Sequence, residues 1–330
     1  MKLSVVIPCF NEEKYIEKCI LSILNNGYPQ RDIEILVVDG FSEDNTRSVV
    51  NKLHESYSNV HLIDNERKKT PFALNTGILN AKGDFILIAG AHSSFDKGYI
   101  QTMFDEMERL NADVVGGVMD TKIKNETPTS IAIMKVLSHK FGVGNAVFRT
   151  GTSHAIEVDT VPFGLYRSTL LKKLKGYDER LIRNHDIELS KRIIAAGGKI
   201  YLTPKAKCYY FARESWNKLA KNNYDNGKWN LITTYYTKNL ASLSIRHFIP
   251  LLFVLSIFIP LLLSFVFWPF ILLSVLSLMF YIITLVYFIG KMERKGTSFI
   301  YLFWTFLTLH ISYGIGSLVG LFHVGKLFKK

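Results

Sequence analysis

The chain has 330 residues, and its 40 lysines and arginines against 28 aspartates and glutamates give a formal net charge of +12. This length accommodates one α/β domain of about 200–250 residues and a further segment. The basic balance suits a membrane surface or phosphate-rich ligands, and no RNA-binding or finger signature supports nucleic acid as a partner. Cys9, Cys19 and Cys208 lack the spacing of a metal site, so we expect reduced, buried side chains.

Short apolar runs alternate with helical patterns over the first ninety residues. The sequence predicts strands at 3–7, 33–38, 60–63 and 85–89, and helices at about 11–24, 42–56 and 71–80. Pro8 and Asn11 end the first apolar run, which favours a buried strand over a signal peptide. Strands that alternate with helices need crossover connections, so this part is predicted to form an α/β domain with a mostly parallel sheet.

Polar segments follow three of these strands directly, at 8–12, 39–44 and 90–94. Ligands of such sheets bind beyond the carboxyl ends of the strands, so we expect the three segments to surround one cleft. Within them, His92 is either a structural side chain or a metal ligand. Further along, Asp186 begins a helical pattern and is either a helix cap or a general base.

The composition changes after residue 212. Segment 213–247 mixes aromatic rings with lysines, which predicts an amphipathic juxtamembrane segment or, alternatively, a helical edge of the soluble domain. The region 248–330 is predicted to be a membrane region, with spans at about 248–268, 270–289 and 299–324.

Basic residues predict the orientation of these spans. Arg246 and the basic loop 291–295 place both ends of the first hairpin in the cytoplasm. A third crossing would put Lys326, Lys329 and Lys330 on the opposite side, so segment 299–324 either spans or is re-entrant or interfacial. Gly316 and Gly320 form a small face that suits close helix packing.

Six motifs in order resemble inverting glycosyltransferase family 2. They read VVIPCFNEE, EILVVDGFSEDNT, TPFALNTGILNAKGDFILI, VDTVPFGLYR, GYDERL and RNHDIELSKRI. The resemblance runs from about Leu3 to Tyr210, and together with HISYGIGSLVG it is similar to the branch that builds succinoglycan-like exopolysaccharides and capsules. It implies a glycosyltransferase-A-like, Rossmann-like mixed and mostly parallel sheet over residues 1–212, followed by C-terminal transmembrane helices.

The resemblance also implies site residues at matching positions. The nucleotide-sugar would contact Pro8, Asn11, Glu12, Asp39 and Ala91; Asp186 would be the catalytic base; the acceptor side would include Phe163, Gly164, Glu188 and Trp229. His92 falls at the end of the family's Asp-x-Asp metal motif, whose first position is Gly90 here. Because Mn²⁺ tolerates imidazole better than Mg²⁺ does, the expected cofactor is Mn²⁺, with Mg²⁺ second.

The function implied is transfer of a hexose from a UDP-sugar to a polyprenyl-diphosphate-linked saccharide in exopolysaccharide or capsule biosynthesis. The expected location is the inner (plasma) membrane, multi-pass and in contact with lipid, with the catalytic domain in the cytoplasm. Two alternatives stay open: direct transfer to polyprenyl phosphate, and a catalytically silent membrane scaffold of a polysaccharide assembly complex. The sequence does not predict the donor sugar, the linkage or the oligomeric state.

Overall fold

The computed structural model describes residues 2–238 and 243–327, with side chains described as far as Val324. The chain forms two compact units. The first comprises residues 1–120 and 147–211, and the second comprises residues 121–146 and 212–330. Most of the predicted juxtamembrane segment 213–247 is described, but its residues 239–242 lie outside the described residues, as do Lys329 and Lys330.

The first unit is built on a nine-stranded sheet. Its strands are β1 (Leu3–Cys9), β2 (Ile33–Asp39), β3 (Val60–Asp64), β4 (Phe85–Ile88), β5 (Ser93–Phe95), β6 (Val114–Lys122), β7 (Ile156–Glu157), β8 (Leu165–Arg167) and β9 (Ile200–Phe211). Their order across the sheet is β3-β2-β1-β4-β8-β6-β9-β5, and β7 pairs with β9.

The helices of the first unit are α1 (Ile16–Leu24), α2 (Thr46–Ser56), α3 (Thr70–Asn80), α4 (Tyr99–Arg109), α7 (Val147–Thr150), α8 (Ser168–Lys173) and α9 (His185–Ala195). Those of the second unit are α5 (Pro128–Leu137), α6 (Lys140–Val143), α10 (Trp216–Thr237), α11 (Ile249–Leu263), α12 (Phe270–Lys291) and α13 (Phe299–Leu327).

The sheet is mixed, as predicted, and its parallel part is formed by β1 to β4. β1 pairs in parallel with both β2 and β4, and β2 pairs in parallel with β3. The register sets Cys9 opposite Asp39, so the carboxyl ends of β1 and β2 lie side by side. The pairs β4–β8, β6–β8 and β5–β9 are antiparallel. The edge where the four parallel strands end is therefore where a ligand site is expected.

Helices cover both faces of this sheet. Val5 and Ile7 of β1 face α1, where they join a buried cluster that includes Ile16 and Ile20. Val6 points to the opposite face, into a second cluster with helices α3 and α9. Alternate residues of one strand thus enter two different cores, which explains why β1 is apolar on both faces, with the buried Ser4 as an exception.

Helices α1 and α2 begin later than the sequence predicts. α1 begins at Ile16, not near Asn11, and α2 begins at Thr46, not at Ser42. Asn11 has a left-handed backbone conformation with φ of 55°. Short polar side chains in both segments bind nearby backbone N–H groups, and such local hydrogen bonds compete with helix formation. By contrast, α3 begins at Thr70 with Pro71 in its first turn, as predicted.

The second unit contains three helices that are long and apolar enough to cross a membrane, over Ile245–Leu263, Phe270–Lys291 and Phe299–Val324. α11 and α12 form an antiparallel hairpin in which Ser274 Oγ donates a hydrogen bond to the Ile257 carbonyl at 2.7 Å. The predicted small face of α13 packs tightly: a Cβ atom on Gly316 or Gly320 would overlap the carbonyl oxygen of Tyr224 or Lys228 of α10. The absence of side chains at these glycines lets the two helices approach backbone to backbone.

Candidate active site

Two loops at the carboxyl edge of the sheet are joined by side chain to backbone hydrogen bonds. The amides of Asn11 and Glu12 donate to Ser42 Oγ and Thr46 Oγ1, both at 2.8 Å. In return, Asn11 Oδ1 accepts from the Glu43 amide at 2.8 Å. The predicted site residue Asn11 thus braces the loop after β1 against the loop after β2, and both loops lie at one edge as the sequence predicts.

Asp39, which ends β2, is fully enclosed. Its carboxylate accepts hydrogen bonds from the Ser42 amide and from Arg47 Nη1, both at 2.9 Å. Arg47 also contacts Asp64 Oδ1 at 2.8 Å, and these two carboxylates raise the pKa of its guanidinium. Because the Asp39 side chain has no exposed surface, the implied contact with a pyrimidine ring requires movement of the groups that cover it. Pro8 lies on the adjoining strand, opposite Val38.

His92 lies just beyond β4 and is held on two sides. Its Nδ1 atom is 3.2 Å from Oε1 of Glu12, and its ring contacts Tyr210 edge to face at 5.1 Å between centroids. Nε2 makes no hydrogen bond to any residue that the structure describes, and the side chain is 34% exposed. The ring therefore offers one nitrogen atom to a ligand. Ala91 is buried, so only its backbone is suited to a polar contact.

Phe163 occupies the space beside Gly90. A Cβ atom on Gly90 would lie 2.8 Å from Cε1 of Phe163, which is closer than real Cβ contacts permit. Phe163 itself has a left-handed backbone with φ of 44°, and its ring packs edge to face on Phe95. The Phe163 ring thus fills the space that a side chain at position 90 would need.

Asp186 is exposed in the first turn of α9. Burial is the largest cause that raises the pKa of Tyr166, and the negative charge of Asp186 is the second cause. Asp186 therefore lies near the Tyr166 ring. The Tyr166 ring lies against Gly164, where a Cβ atom would approach its Cε2 atom to 2.9 Å. Residues 163–166 therefore connect the surroundings of Gly90 with those of Asp186.

Two predicted acceptor-side residues have other surroundings. Glu188 is buried and forms a two-point ion pair with Arg192, at 2.7 and 2.9 Å. Arg192 in turn donates to the carbonyls of Leu174 and Gly176. The Glu188 carboxylate therefore has a structural role, because it holds Arg192 against the backbone carbonyls of Leu174 and Gly176. Trp229 lies in α10 of the second unit, whereas this edge of the sheet belongs to the first unit.

The side chains at this edge fit a divalent cation only as partial ligands. Among the described residues, no group of three or more His, Cys, Asp and Glu side chains is placed to hold a metal ion. His92 Nε2 supplies one nitrogen ligand, which Mn²⁺ accepts more readily than Mg²⁺, and Glu12 holds the opposite ring nitrogen, Nδ1. A cation at this edge would take its remaining ligands from the diphosphate of a substrate and from water.

Sequence reasoning missed three side chains of this site. Arg47 neutralises Asp39, Tyr210 positions the His92 ring, and the Arg149 guanidinium lies 5.2 Å from the Tyr210 ring centroid. Burial lowers the pKa of Arg149. Arg47 directly follows the motif SEDNT, which is a usable signal. Tyr210 and Arg149 reach the site through β9 and α7, whose positions no local pattern reveals.

Comparisons with known proteins agree with this architecture. Residues 4–174 match the model of glycosyl transferase family 2. A dolichyl N-acetyl-alpha-D-glucosaminyl phosphate 3-beta-D-2,3-diacetamido-2,3-dideoxy-beta-D-glucuronosyltransferase of Methanococcus voltae is 32% identical over 227 residues, which is 66% of this chain and 70% of that protein. Succinoglycan biosynthesis protein ExoA of Rhizobium meliloti (strain 1021) is 28% identical over 212 residues. The match covers 63% of this chain and 63% of ExoA, which is less than two thirds of that protein.

A solved structure shares the fold. The mannosyltransferase PcManGT from Pyrobaculum calidifontis, in complex with GDP-Man and Mn²⁺, superimposes with a TM-score of 0.61 at 14% identity, covering 96% of this chain and 87% of that one. The predicted glycosyltransferase-A-like fold and the resemblance to the succinoglycan branch are therefore confirmed. With more than half of its length matched by the family model, this chain belongs to glycosyl transferase family 2.

Proposed function

We propose that this chain is an inverting, metal-dependent transferase that moves a hexose from a UDP-sugar to a saccharide carried on polyprenyl diphosphate. The observation that carries the proposal is the geometry of the parallel sheet edge. His92, held by Glu12, follows two residues after Gly90, which lies against Phe163, and the exposed Asp186 lies near Tyr166, three residues further along the same segment. A leaving diphosphate and an acceptor hydroxyl need such separate polar groups on two sides of one sugar.

Asp186 is the base in this scheme. Its carboxylate takes the proton from an acceptor hydroxyl as the oxygen attacks the anomeric carbon on the face opposite the nucleotide. The bond to the nucleoside diphosphate breaks in the same step, so an α-linked donor gives a β-linked product. Exposure of Asp186 at the start of α9 lets an acceptor reach it, whereas Glu188 is buried in its pair with Arg192.

His92 and Glu12 serve the leaving group. His92 Nε2 would hold the cation, and Glu12 fixes the orientation of the ring through Nδ1. When bound, a divalent cation supplies Lewis-acid stabilisation of the negative charge on the departing diphosphate. Mn²⁺ is the preferred ion, and the complex of PcManGT with Mn²⁺ supports this choice.

The lipid-linked acceptor is supported by the relatives and by the second unit. The name of the Methanococcus voltae relative describes transfer to a dolichyl-linked sugar phosphate, and the ExoA relative is named for succinoglycan biosynthesis. The second unit carries helices that can cross a membrane, where a polyprenyl chain resides. We infer a catalytic unit on the cytoplasmic side of the inner membrane and a role in exopolysaccharide or capsule synthesis.

Asp186→Asn tests the proposal in the full chain, purified in lipid nanodiscs with Mn²⁺ and a panel of UDP-sugars. Sugar transfer to polyprenyl-diphosphate-linked saccharides should fall about 10²- to 10⁴-fold, with UDP binding unchanged. Asp105→Asn is a matched control, because Asp105 is likewise an exposed aspartate on a helix and accepts a hydrogen bond from Gln101 of its own helix α4. Full transfer activity in the Asp186 variant would remove it from the base role, and transfer to bare polyprenyl phosphate would favour that acceptor instead.

A second candidate, a catalytically silent scaffold, is favoured by one observation: among the described residues no group of three or more His, Cys, Asp and Glu side chains could hold a metal ion, and Gly90 supplies no carboxylate. Titration calorimetry with UDP in the presence and absence of Mn²⁺ separates the two. A transferase binds UDP more tightly with the ion, and a scaffold shows no difference.

A further inference from the structure

The hairpin of α11 and α12 packs against the rest of the second unit at its base, which we define as residues 249–254 and 281–291. Buried apolar side chains of the hairpin are Leu251, Val254, Tyr281, Leu285 and Ile289. All five lie in the first turns of α11 or the last turns of α12, and the ring of Phe253 stacks on Tyr281 at 4.4 Å. Side chains near the tip are open, with Phe265 and Val266 87% and 88% exposed.

The exposed part of the hairpin is apolar on all sides. Its large exposed side chains are Phe258, Ile259, Leu261, Leu262, Leu263, Phe265, Val266, Phe267, Trp268, Ile271, Leu272, Leu273, Val275, Leu276, Leu278, Met279 and Phe280. Such a surface needs a hydrocarbon environment, and a helix apolar all round is typical of a membrane span.

The middle of α13 lies at the level of the hairpin base. A Cβ atom on Gly314 would lie 2.5 Å from the carbonyl oxygen of Pro250, in the first turn of α11. Asn230 Nδ2 donates both to the carbonyl of His247, just before α11, and to the hydroxyl of Tyr313, at 2.9 and 3.0 Å. Residues 313 and 314 are therefore fixed beside the point where α11 begins.

The start of α13 is close to the base along the chain. It follows Lys291, the last residue of α12, after a short loop in which Thr297 Oγ1 bonds to the Pro128 carbonyl at 2.8 Å. Between Phe299 and Gly314 the helix advances about 22 Å at 1.5 Å per residue. Gly314 contacts the first turn of α11, and His310 Nδ1 lies 2.9 Å from the hydroxyl of Tyr281, so α13 contacts the base at both residues. The hairpin side chains nearer the tip are exposed, so α13 does not continue along the hairpin to cover them.

The partner of α13 is a polar helix. α10 carries Lys218, Lys221, Asp225 and Lys228, and its backbone meets Gly316 and Gly320 directly. Trp216 Nε1 bonds to Thr305 Oγ1 at 2.9 Å, so contact between the two helices extends from residue 305 to residue 320. If α13 crossed the bilayer, α10 would be drawn through the hydrocarbon with its charged side chains, which is strongly unfavourable.

The exposed apolar side chains of α13 form a single stripe. Its large exposed residues are Ile300, Trp304, Ile311, Ile315, Leu321 and Phe322. Most recur at spacings of four and seven, which places them on one face, while Phe306, Leu309 and Ser317 on other faces are buried. One apolar face opposite a protein-covered face is typical of a helix that lies in the plane of the membrane surface.

We propose that only the α11–α12 hairpin crosses the bilayer, and that α13 lies in the cytoplasmic interface with its apolar stripe against lipid. The chain then crosses twice and returns to the cytoplasmic side. Lys291 is exposed at the base, and Arg294 and Lys295 are exposed in the loop that follows it. Anionic headgroups would attract all three. This topology also keeps Lys326, in the last turn of α13, on the cytoplasmic side, in accordance with the positive-inside rule.

Cysteine labelling in oriented membrane vesicles tests this topology without requiring any enzymatic activity. The reporters are Val266→Cys at the hairpin tip, Glu293→Cys in the loop after α12 and His323→Cys near the end of α13, all at exposed positions. The reagent is a maleimide that cannot cross membranes. Background should be low because Cys9, Cys19 and Cys208 are buried, and burial raises the pKa of Cys19 to about 12.

We expect labelling of residue 266 only in right-side-out vesicles, and of residues 293 and 323 only in inside-out vesicles. Labelling of residue 323 from the outside would show that α13 crosses and would overturn the proposal. Labelling of residue 266 from the inside, or from neither side, would show that the hairpin does not cross, which also overturns it. If residue 323 reacts from neither side, fusions after Lys330 decide: green fluorescent protein fluorescence supports the proposal, and alkaline phosphatase activity refutes it.

Discussion

The carboxylate of Glu12 lies 3.2 Å from Nδ1 of His92, although the two residues follow different strands of the sheet. A carboxylate on one ring nitrogen fixes the tautomer and orientation of the imidazole and leaves Nε2 free to bind. Neither residue has a second histidine or acidic partner in this arrangement within the described part of the chain. Among the described residues, His92 Nε2 is thus the proposed ligand of the cation, and Glu12 orients the ring that carries it.

Glu12→Gln should weaken Mn²⁺ binding in the presence of UDP by about 10- to 100-fold. The glutamine amide can still orient the His92 ring, but it lacks the negative charge that makes the imidazole a stronger ligand. Electron paramagnetic resonance of free Mn²⁺ measures this affinity directly. Glu13→Gln is the matched control, since Glu13 contacts the amide and side chain of Asn45 and not His92. Unchanged Mn²⁺ affinity in the Glu12 variant would show that this carboxylate has no part in the site.

Gly90→Ala should lower the free energy of unfolding by about 1–3 kcal/mol, because the new Cβ atom would collide with the Phe163 ring. The double variant Gly90→Ala/Phe163→Leu should recover part of that loss, since a smaller side chain leaves room. Urea unfolding of the four members of this cycle measures the coupling between the two positions. Additive effects would contradict the proposed steric cause.

Gly316→Ala should destabilise the second unit by about 1–3 kcal/mol, since its Cβ atom would overlap the carbonyl oxygen of Tyr224. Gly290→Ala is a matched control in α12, where a Cβ atom meets no other atom within 4 Å. We expect the control to be neutral or slightly stabilising, because alanine favours a helix more than glycine does. Thermal unfolding in detergent compares the two, and equal melting temperatures would refute the close contact between α10 and α13.

Glu106→Gln should reduce the free energy of unfolding at pH 7 by about 1–3 kcal/mol. The buried carboxylate contacts Arg109 Nη2 at 2.7 Å and Lys205 Nζ at 2.8 Å, and hydrogen bonding from Arg109 first, opposed by burial, lowers the pKa of Glu106 from 4.5 to about 2. Because the pKa is lower in the folded state, the stabilisation is complete above pH 4.5 and disappears as the pH falls towards 2.

The difference between wild type and the Glu106 variant should therefore shrink over that pH interval. Chemical denaturation at a series of pH values measures it. Glu108→Gln, an exposed neighbour on the same helix, should show no such dependence. A gap that stays constant from pH 7 to pH 2 would show that the ion cluster does not carry the effect.

The parallel part of the fold follows from local sequence patterns. β1 and β2 consist mainly of branched apolar residues, interrupted by Ser4 and Glu34, and a polar segment follows each apolar run. The sequence predicts the starts of α1 and α2 less accurately, because the side chains of Asp39, Asp44 and Thr46 accept hydrogen bonds from backbone amides that a helix would otherwise use. Local patterns carry no information about such through-space competition.

The antiparallel part could not be predicted in the same way. β5 has three residues and pairs with β9, whose Tyr210 lies opposite Ser93. Only this long-range pairing brings Tyr210 to His92. The sequence therefore identified His92 and Asp186 as candidates, because strand ends and helix starts are locally recognisable, but not the neighbours that hold them.

The excursion of residues 121–146 into the second unit has a practical consequence for efforts to prepare a soluble catalytic fragment. α5 buries Ala132, Ile133 and Val136 and packs against α13. Truncation at Phe211 would remove α13 but retain α5, leaving an apolar helix face open to water and prone to aggregate. A fragment that behaves well should also have residues 121–146 replaced by a short flexible linker between Asp120 and Val147.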